Sequence, residues 1–468
     1  MGGERSFMLK DELRSCAGSF EKGLHTEVRG QVNRSRSAAL LNGNLIGNAR
    51  KDVSGVSARV YKGGVYGFSS IAEYSRDAAE RVLKAAHDNA VFMDSHVPAG
   101  KPDIRPLGRG EYVTDTAIND APQKTYIDFA RQVDDYVAKH CPKLISRRVM
   151  AIEDSGEKLL KVSDGTDAHT ALPRSYVYAV FTAATPSGQP VELFKAFGGE
   201  GTFEANFTEP EKLYADIDKL YENILRKADG VYADAGMKTV VLGGFMTGML
   251  SHEAVGHTVE ADLVLGGSVA AKKLGQQVAS PLVTLSDFAY EAFGKRAPLP
   301  VFVDDEGTKA GDVTLIKDGI LVGYMNSRQT ADHFNMAPAG NARAWSFSDE
   351  PLIRMRNTAV HPGTSRLEDM IASIDDGYYL IDSGNGQADT TGEFMFGVTM
   401  GYEIKNGKLG RALLDTTISG VAFEMLKTVD MVGDTVTWAS SGYCGKKQPM
   451  PVGMGGPALR CKVMIGGR

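Results

Sequence analysis

Apolar and polar side chains alternate with a period of two between Leu144 and Phe197, as at Tyr176, Tyr178 and Val180. Successive side chains of a β-strand point to opposite faces, so this alternation predicts a sheet with one buried face. The chain also carries 53 glycines in 468 residues, which is roughly one and a half times the average proportion. Because glycine favours tight turns, we expect a curled antiparallel sheet rather than a helical bundle.

The length of the chain predicts more than one domain, because a single hydrophobic core of 468 residues would be unusually large. The first half mixes strand patterns with helical stripes, and a long helix is predicted from about Glu209 to Ala233. The second half is richer in short strands and turn signals. We therefore predict a mixed α/β (α+β) fold, with an α/β N-terminal domain over residues 1–235 and a β-rich C-terminal domain over residues 236–468.

Charge and composition narrow the possible partners and compartments. The net charge is −6, from 52 basic and 58 acidic residues, which disfavours nucleic acid as a partner. The longest apolar stretch runs from Val240 to Leu250, whereas a membrane-spanning helix needs about 20 residues. The four cysteines form no C-x-x-C pair. We therefore expect no nucleic-acid or membrane partner, and a cytoplasmic location in a reducing compartment.

A short motif carries the strongest chemical signal. His252-Glu253-Ala254-Val255-Gly256-His257 follows a strand predicted at Lys238 to Leu242, and a helix is expected to begin near Phe245. In the related H-E-x-x-H zinc motif, two imidazoles on one helix face bind one metal ion. Here the spacing is i, i+5, which swings the second ring by about 140° around a regular α-helix. Gly256 would permit the π-bulge or break that brings both rings together.

Sequence spacing alone leaves other interpretations of this segment open. His252 and Glu253 could begin a polar helix face while His257 packs in the core. Glu260 and Asp262 could orient the imidazoles, or they could lie on a solvated face. A catalytic zinc site takes three protein ligands, and Cys444 is a candidate third ligand. Its glycine-flanked segment beside Lys446 predicts an accessible thiolate.

Several separate blocks of this sequence resemble the TldD/PmbA family of metallopeptidases, and together they extend over nearly the whole chain. The first is the motif around His252 together with Glu260-Ala261-Asp262. The others are the N-terminal pattern from Gly63 to Ser69, Asp304-Asp305-Glu306-Gly307, Gly340-Asn341-Ala342-Arg343, Arg354-Met355-Arg356-Asn357-Thr358, Cys444-Gly445-Lys446 and Ile465-Gly466-Gly467. The intact H-E-x-x-x-H pattern is similar to that of the catalytic, TldD-type members. The PmbA-type subunits lack this pattern, so the resemblance is to the catalytic type.

The resemblance implies one zinc ion per active subunit, bound by His252, His257 and Cys444, with Glu253 as the general base. It implies hydrolysis of short or unfolded peptides, drawn into a chamber between two subunits. The partner would be a second copy of the chain or a PmbA-type subunit. The segment from Ser383 to Gln387 is a candidate for close approach to the peptide backbone, or a plain surface loop.

Two alternative functions use the same residues. Cys444 could be a nucleophile with His252 or His257 as its base, which would make the chain a cysteine hydrolase. The chain could also be a non-catalytic, peptide-binding subunit of a TldD/PmbA-type complex. Arg343 and Arg354 could hold a peptide carboxylate or form structural ion pairs, and the sequence does not distinguish these roles.

Overall fold

The computed structural model describes residue 13 and residues 15–97, 104, 110–114 and 121–466. Its helices are α1 (Arg76–Asp94), α2 (Gln123–His140), α3 (Phe203–Asn206), α4 (Tyr214–Ala228), α5 (Gly244–Met249), α6 (Ala261–Leu265), α7 (Arg328–Phe334), α8 (Leu367–Ala372) and α9 (Ala422–Leu426). The strands of the first half are β1 (His25–Leu41), β2 (Asn44–Lys62), β3 (Val65–Ile71), β4 (Glu111–Val113), β5 (Ser146–Val162), β6 (Asp167–Ala184) and β7 (Pro190–Glu200).

The strands of the second half are β8 (Gly236–Leu242), β9 (Leu285–Phe288), β10 (Glu291–Ala292), β11 (Lys295–Arg296), β12 (Val313–Lys317), β13 (Ile320–Leu321), β14 (Ala342–Arg343), β15 (Leu352–Ile353), β16 (Asn357–Val360), β17 (Asp376–Ala388), β18 (Glu393–Lys405), β19 (Lys408–Ala412), β20 (Thr416–Val421), β21 (Met431–Val432), β22 (Thr437–Ala439), β23 (Tyr443–Cys444), β24 (Met450–Pro451), β25 (Gly453–Gly456) and β26 (Leu459–Ile465). Helices and strands both occur in each half, so the predicted mixed α+β class is confirmed.

The strands of the first half form one seven-stranded sheet in the order β3-β2-β1-β5-β6-β4, with β7 also paired to β6. The long strands β1, β2, β5 and β6 run antiparallel to one another, as the alternating pattern predicts, and the short strand β4 pairs parallel to β6. Helix α1 packs on β2 and β3, and α2 and α4 share another core with β5, β6 and β7. The predicted boundary at residues 235 and 236 stays a prediction.

The predicted helix from Glu209 to Ala233 is shorter than expected. A 3-10 turn occupies Pro210–Leu213, and α4 ends at Ala228. Val231 instead forms an isolated parallel bridge with Leu413. Because Val231 makes this tertiary contact, the residues after Ala228 do not continue the helix.

In the second half, one sheet closes on itself. Strand β17 pairs with β8 and with β18, β18 pairs with β20, β20 with β26, and β26 with β8. A second, six-stranded sheet has the order β13-β12-β9-β16-β25-β22. Helix α5 leaves β8 after Gly243 and packs between β17 of the closed sheet and β25 of the second sheet. The segment that follows α5 is therefore held from both sides.

Buried charge pairs join the two halves. Arg59 of β2 contacts Glu306 with an N···O distance of 2.7 Å, and Lys158 of β5 contacts Asp305 at 2.7 Å. Both carboxylates lie in the Asp304–Gly307 block. Because breaking a buried pair leaves one charge without its partner, these contacts hold the N-terminal sheet against that block.

Candidate metal centre

The segment Leu250–Gly256, which carries the motif, is a π-helix that continues directly from α5. A π-helix has i→i+5 hydrogen bonds in place of i→i+4. Its wider turn places His252 and His257, five residues apart, on the same side of the helix. The irregularity that the spacing and Gly256 predict is therefore present in the fold.

Gly256 also lets this segment approach the second sheet. A Cβ atom at this position would lie 2.1 Å from Met355 Sδ and 3.1 Å from the carbonyl oxygen of Ser251. Met355 is fully buried, so a larger residue at position 256 must displace packed atoms. Close packing at this position therefore requires glycine.

We expect the Gly256→Ala variant to lose about 1–3 kcal/mol of folding stability, because overpacking a filled core strains it. Thermal unfolding measures this loss. Gly311→Ala is a matched control, because a Cβ there has no heavy atom within 4 Å. Equal unfolding temperatures for the two variants would contradict the packing argument.

The side chains of His252, His257 and Cys444 converge on one point. Their ligand atoms all lie within 4.8 Å of one another. Cys444 Sγ is 3.2 Å from His257 Nε2, and the two imidazole rings have centroids 5.3 Å apart. The fold therefore brings together the three ligands that the resemblance implies, across 187 residues of sequence.

The chemistry of these donors fits a zinc ion. His252 is 1% exposed, and among the described residues neither of its ring nitrogens has a hydrogen-bond partner. Buried polar atoms without partners are rare and costly. Imidazole nitrogen and thiolate sulfur are the donors that zinc sites use. Two imidazoles and one thiol also leave a fourth position of a tetrahedral site for water or substrate.

The Cys444 thiol is buried, which corrects the expectation of an accessible thiolate. It is 3% exposed, because it lies in the hydrophobic core of the second half, against the two imidazoles. Burial raises the pKa of Cys444, but the imidazoles of His252 and His257 lower it to about 3. Burial lowers the pKa of His257, but Cys444 and Glu260 raise it to about 10. The shift at Cys444 favours the thiolate, which is the metal-binding form of cysteine.

Glu260 and Lys446 orient His257 from the other side. Glu260 is fully buried, and its Oε2 lies 2.9 Å from His257 Nδ1 and 3.2 Å from Lys446 Nζ. Lys446 Nζ also contacts Asp262 Oδ2 at 2.6 Å. Glu260 therefore fixes the ring so that Nε2 faces Cys444, while Asp262 reaches the ring only through Lys446.

Glu253 lies at the edge of the cluster, beside an open groove. Its carboxylate oxygens are 3.9 Å from His252 Nε2 and 3.7 Å from His257 Nε2. The side chain is 26% exposed. The groove has a volume of about 670 Å³, and its other walls include Leu263, Gly386, Gln387, Phe394, Met395 and Lys446. Glu253 is therefore the acidic group that meets both the cluster and solvent.

The glycine-rich segment belongs to β17 and is not a plain surface loop. Gly386 and Gln387 reach the groove beside Glu253. A Cβ at Gly386 would lie 2.5 Å from the Phe396 ring. Packing against the neighbouring strand β18 thus accounts for this glycine.

The structure separates the two arginines that the sequence could not distinguish. Arg354 is fully buried and donates to the carbonyl oxygens of Cys444, Lys446 and Gln448, at 2.7, 3.1 and 2.7 Å. It therefore supports the ribbon of β23 and β24 that carries Cys444. Arg343 makes different contacts and faces a separate cavity.

Sequence reasoning missed the residues of β6 that hold the segment before Cys444. Tyr176 Oη donates to the Ser440 carbonyl at 2.7 Å, and Tyr178 Oη donates to the Ser441 carbonyl at 3.0 Å. The period-two alternation places both tyrosines on one face of β6. That signal indicated a shared face, but it could not identify what the face contacts.

Two imidazoles and one thiol converge beside a carboxylate and an open groove, and these three groups could hold a metal ion. Comparison with known proteins then identifies the family. A family model described as the PmbA/TldA metallopeptidase C-terminal domain matches residues 235–467, and the model of domain 1 matches residues 26–90. A protein of Methanothermobacter thermautotrophicus named metalloprotease is 30% identical over 450 residues, which cover 95% of each chain.

The chain belongs to the TldD/PmbA family of metallopeptidases. A further relative, from Saccharolobus solfataricus, is named zinc metalloprotease TldD homolog and is 33% identical over 253 residues. That match covers 54% of this chain and 56% of the relative. The crystal structure of TldE from Thermococcus kodakarensis shares the fold, with a TM-score of 0.75 and 16% identity, over 98% of this chain and all of the other.

The part of the chain that the structure describes contains no long apolar helix. No helix there has both the length and the hydropathy needed to cross a membrane. The cytoplasmic location stays a prediction.

Proposed function

We propose that this chain is a zinc-dependent peptidase that uses His252, His257 and Cys444 as ligands and Glu253 as general base. The observation that carries the proposal is the convergence of three zinc-type donors, two of them buried, next to a partly exposed carboxylate on an open groove. The named activity of the relatives supports the same reaction class.

The roles of the residues follow from their positions. A zinc ion held by these ligands would supply Lewis acidity, which polarises a peptide carbonyl and favours deprotonation of water. Glu253 would accept the proton of the attacking water and pass it to the leaving amine. Its carboxylate reaches solvent and the cluster at once, as this transfer requires. Glu260 and Lys446 would keep His257 in one orientation.

Short or unfolded peptides are the proposed substrates. The groove is open, and strand β17 forms one wall through Gly386, Gln387 and Ala388. An extended peptide can use backbone hydrogen bonds along a strand irrespective of its sequence. A second subunit, either another copy or a PmbA-type chain, would close the groove into a chamber. The fold shared with TldE supports a partner of the same architecture, and the mass of the purified chain in solution tests whether it pairs with itself.

One observation favours a second candidate, a cysteine hydrolase. Cys444 Sγ lies 3.2 Å from His257 Nε2, and the pKa of the thiol is lowered to about 3, although burial opposes this shift. A thiolate beside an imidazolium is the resting form of a cysteine nucleophile. The thiol is buried, however, and this mechanism leaves Glu253 and the second imidazole without a role.

Chelation separates the two candidates. We expect peptide hydrolysis to disappear when the protein is dialysed against a chelator and to return when zinc is added, because the water needs an ion for activation. Hydrolysis of a fluorogenic peptide measures both steps, and magnesium serves as the control ion, since it prefers oxygen ligands. Activity that survives complete removal of zinc would favour the thiol mechanism.

A further inference from the structure

A cavity of about 100 Å³ lies where the N-terminal sheet meets the second half of the chain. One side is formed by residues of β1, β5 and β6, including Gln31 and Lys158. The other side is formed by the segments at 300–305 and 343–345 and by Met450 and Pro451 of β24. Met450 pairs with Cys444 across the ribbon of β23 and β24. The residues that line the cavity include none of the three candidate metal ligands.

Most charged groups at this cavity are neutralised by a neighbour. The pairs are Arg174 with Asp154 at 2.8 Å, Lys158 with Asp305 at 2.7 Å and Arg296 with Glu200 at 2.5 Å. The remaining carboxylate, Asp304, accepts backbone N–H donors from residues 306, 308 and 342. The carboxylates at the cavity are thus all engaged.

Arg343 is the exception among these cations. It is 6% exposed, and its Nη1 donates to the carbonyl oxygen of Met355 at 2.6 Å. Within the described part of the chain, no carboxylate oxygen lies within 4.0 Å of its guanidinium nitrogens. Burial and then the charge of Arg354 lower the pKa of Arg343 to about 9. A buried cation with no carboxylate in direct contact is costly, and a guanidinium has five N–H donors in a fork that matches a carboxylate.

We propose that this cavity is a carboxylate-binding site in which Arg343 is the anchor, and that its occupant is the C-terminal carboxylate of a peptide. The cavity walls also include Phe302, Trp345 and Met450, which suit the apolar part of a terminal residue. The volume admits a small group and not a folded partner. The peptide as the source of the carboxylate rests on the proposed peptidase function, whereas the carboxylate site itself does not.

Calorimetric titration of the full chain tests the site with three probes. The first two are an acetylated alanine tripeptide with a free carboxyl terminus and the same tripeptide as its terminal amide. The third is sodium acetate. We expect the free acid to bind about ten to a hundred times more tightly than the amide, the usual range for a charge-assisted hydrogen bond. Acetate should compete with the free acid, and the preference should be equal in zinc-loaded and zinc-depleted protein.

Two arginine variants locate the binding. Arg343→Gln should abolish the preference for the free acid, whereas Arg296→Gln should retain it, because Arg296 lines the same cavity but is paired with Glu200. The measurements on the wild type stand even if the Arg343→Gln variant does not fold. Equal binding of acid and amide, with no competition by acetate, overturns the carboxylate site. Acetate binding that depends on Arg343, without any preference for the free-acid peptide, overturns the peptide as occupant. If the zinc-loaded wild type hydrolyses no peptide but still prefers the free acid to the amide, only the peptidase proposal is contradicted.

Discussion

Replacement of Glu253 by glutamine is expected to reduce peptide hydrolysis by about 10²–10⁴-fold, which is the usual contribution of a positioned general base. Glutamine has nearly the same shape as glutamate but cannot accept the proton of the attacking water. The carboxylate oxygens lie 3.9 and 3.7 Å from the two imidazoles, so the change leaves the three donor atoms in place. The effect should therefore appear in kcat, with the zinc content unchanged.

Glu393→Gln is the matched control for this experiment. Glu393 lines the same groove as Glu253 but is not among the residues that cluster at the metal centre. The control variant should retain most of its activity. A Glu253→Gln variant that hydrolyses peptides at the wild-type rate would contradict the role of Glu253 as general base.

Loss of zinc is the second large expected effect, and it follows from removal of a ligand. Metal analysis should find about one zinc per wild-type chain and almost none in His252→Ala or Cys444→Ala after dialysis. Zinc at a thousand times its Kd stabilises a folded protein by about 4 kcal/mol. Thermal unfolding of the wild type should therefore shift upward with added zinc, and neither variant should show this shift.

Cys461→Ala distinguishes loss of a ligand from loss of a buried cysteine. Cys461 is 1% exposed and lies in β26, outside the cluster of donors. The control variant should retain zinc, even where the truncated side chain lowers its stability. Full zinc retention by Cys444→Ala would contradict the three-ligand proposal and would require another donor in place of the thiolate.

Part of the fold followed directly from local patterns. Alternation in β5 and β6 predicted an antiparallel sheet, and that sheet is present because strand periodicity depends only on neighbouring residues. The predicted end of the long helix at Ala233 was wrong for the opposite reason, although the helix itself is present up to Ala228. The bridge between Val231 and Leu413 joins residues far apart in sequence, and helical spacing contains no information about such a partner.

The metal centre shows the same division between local and long-range information. The spacing of His252 and His257 with Gly256 between them predicted an irregular helix, because helix geometry is local. The third donor, Cys444, was a candidate from its sequence context and was assigned by family resemblance, and its burial was predicted wrongly from its glycine-flanked sequence. The thiol is buried in a core formed by residues distant in sequence, and no local pattern describes those contacts.

The sequence by itself determined the class of fold, the two imidazoles with their carboxylate, and the membership of a family. Only the tertiary structure decided that Cys444 is buried against His257, and that Arg354 holds a ribbon while Arg343 keeps free donors at a cavity. Residue type and spacing set the chemistry that each segment can perform. Burial, charge pairing and pKa depend on which distant groups the fold brings within a few ångströms of each other, and those distances exist only in the folded chain.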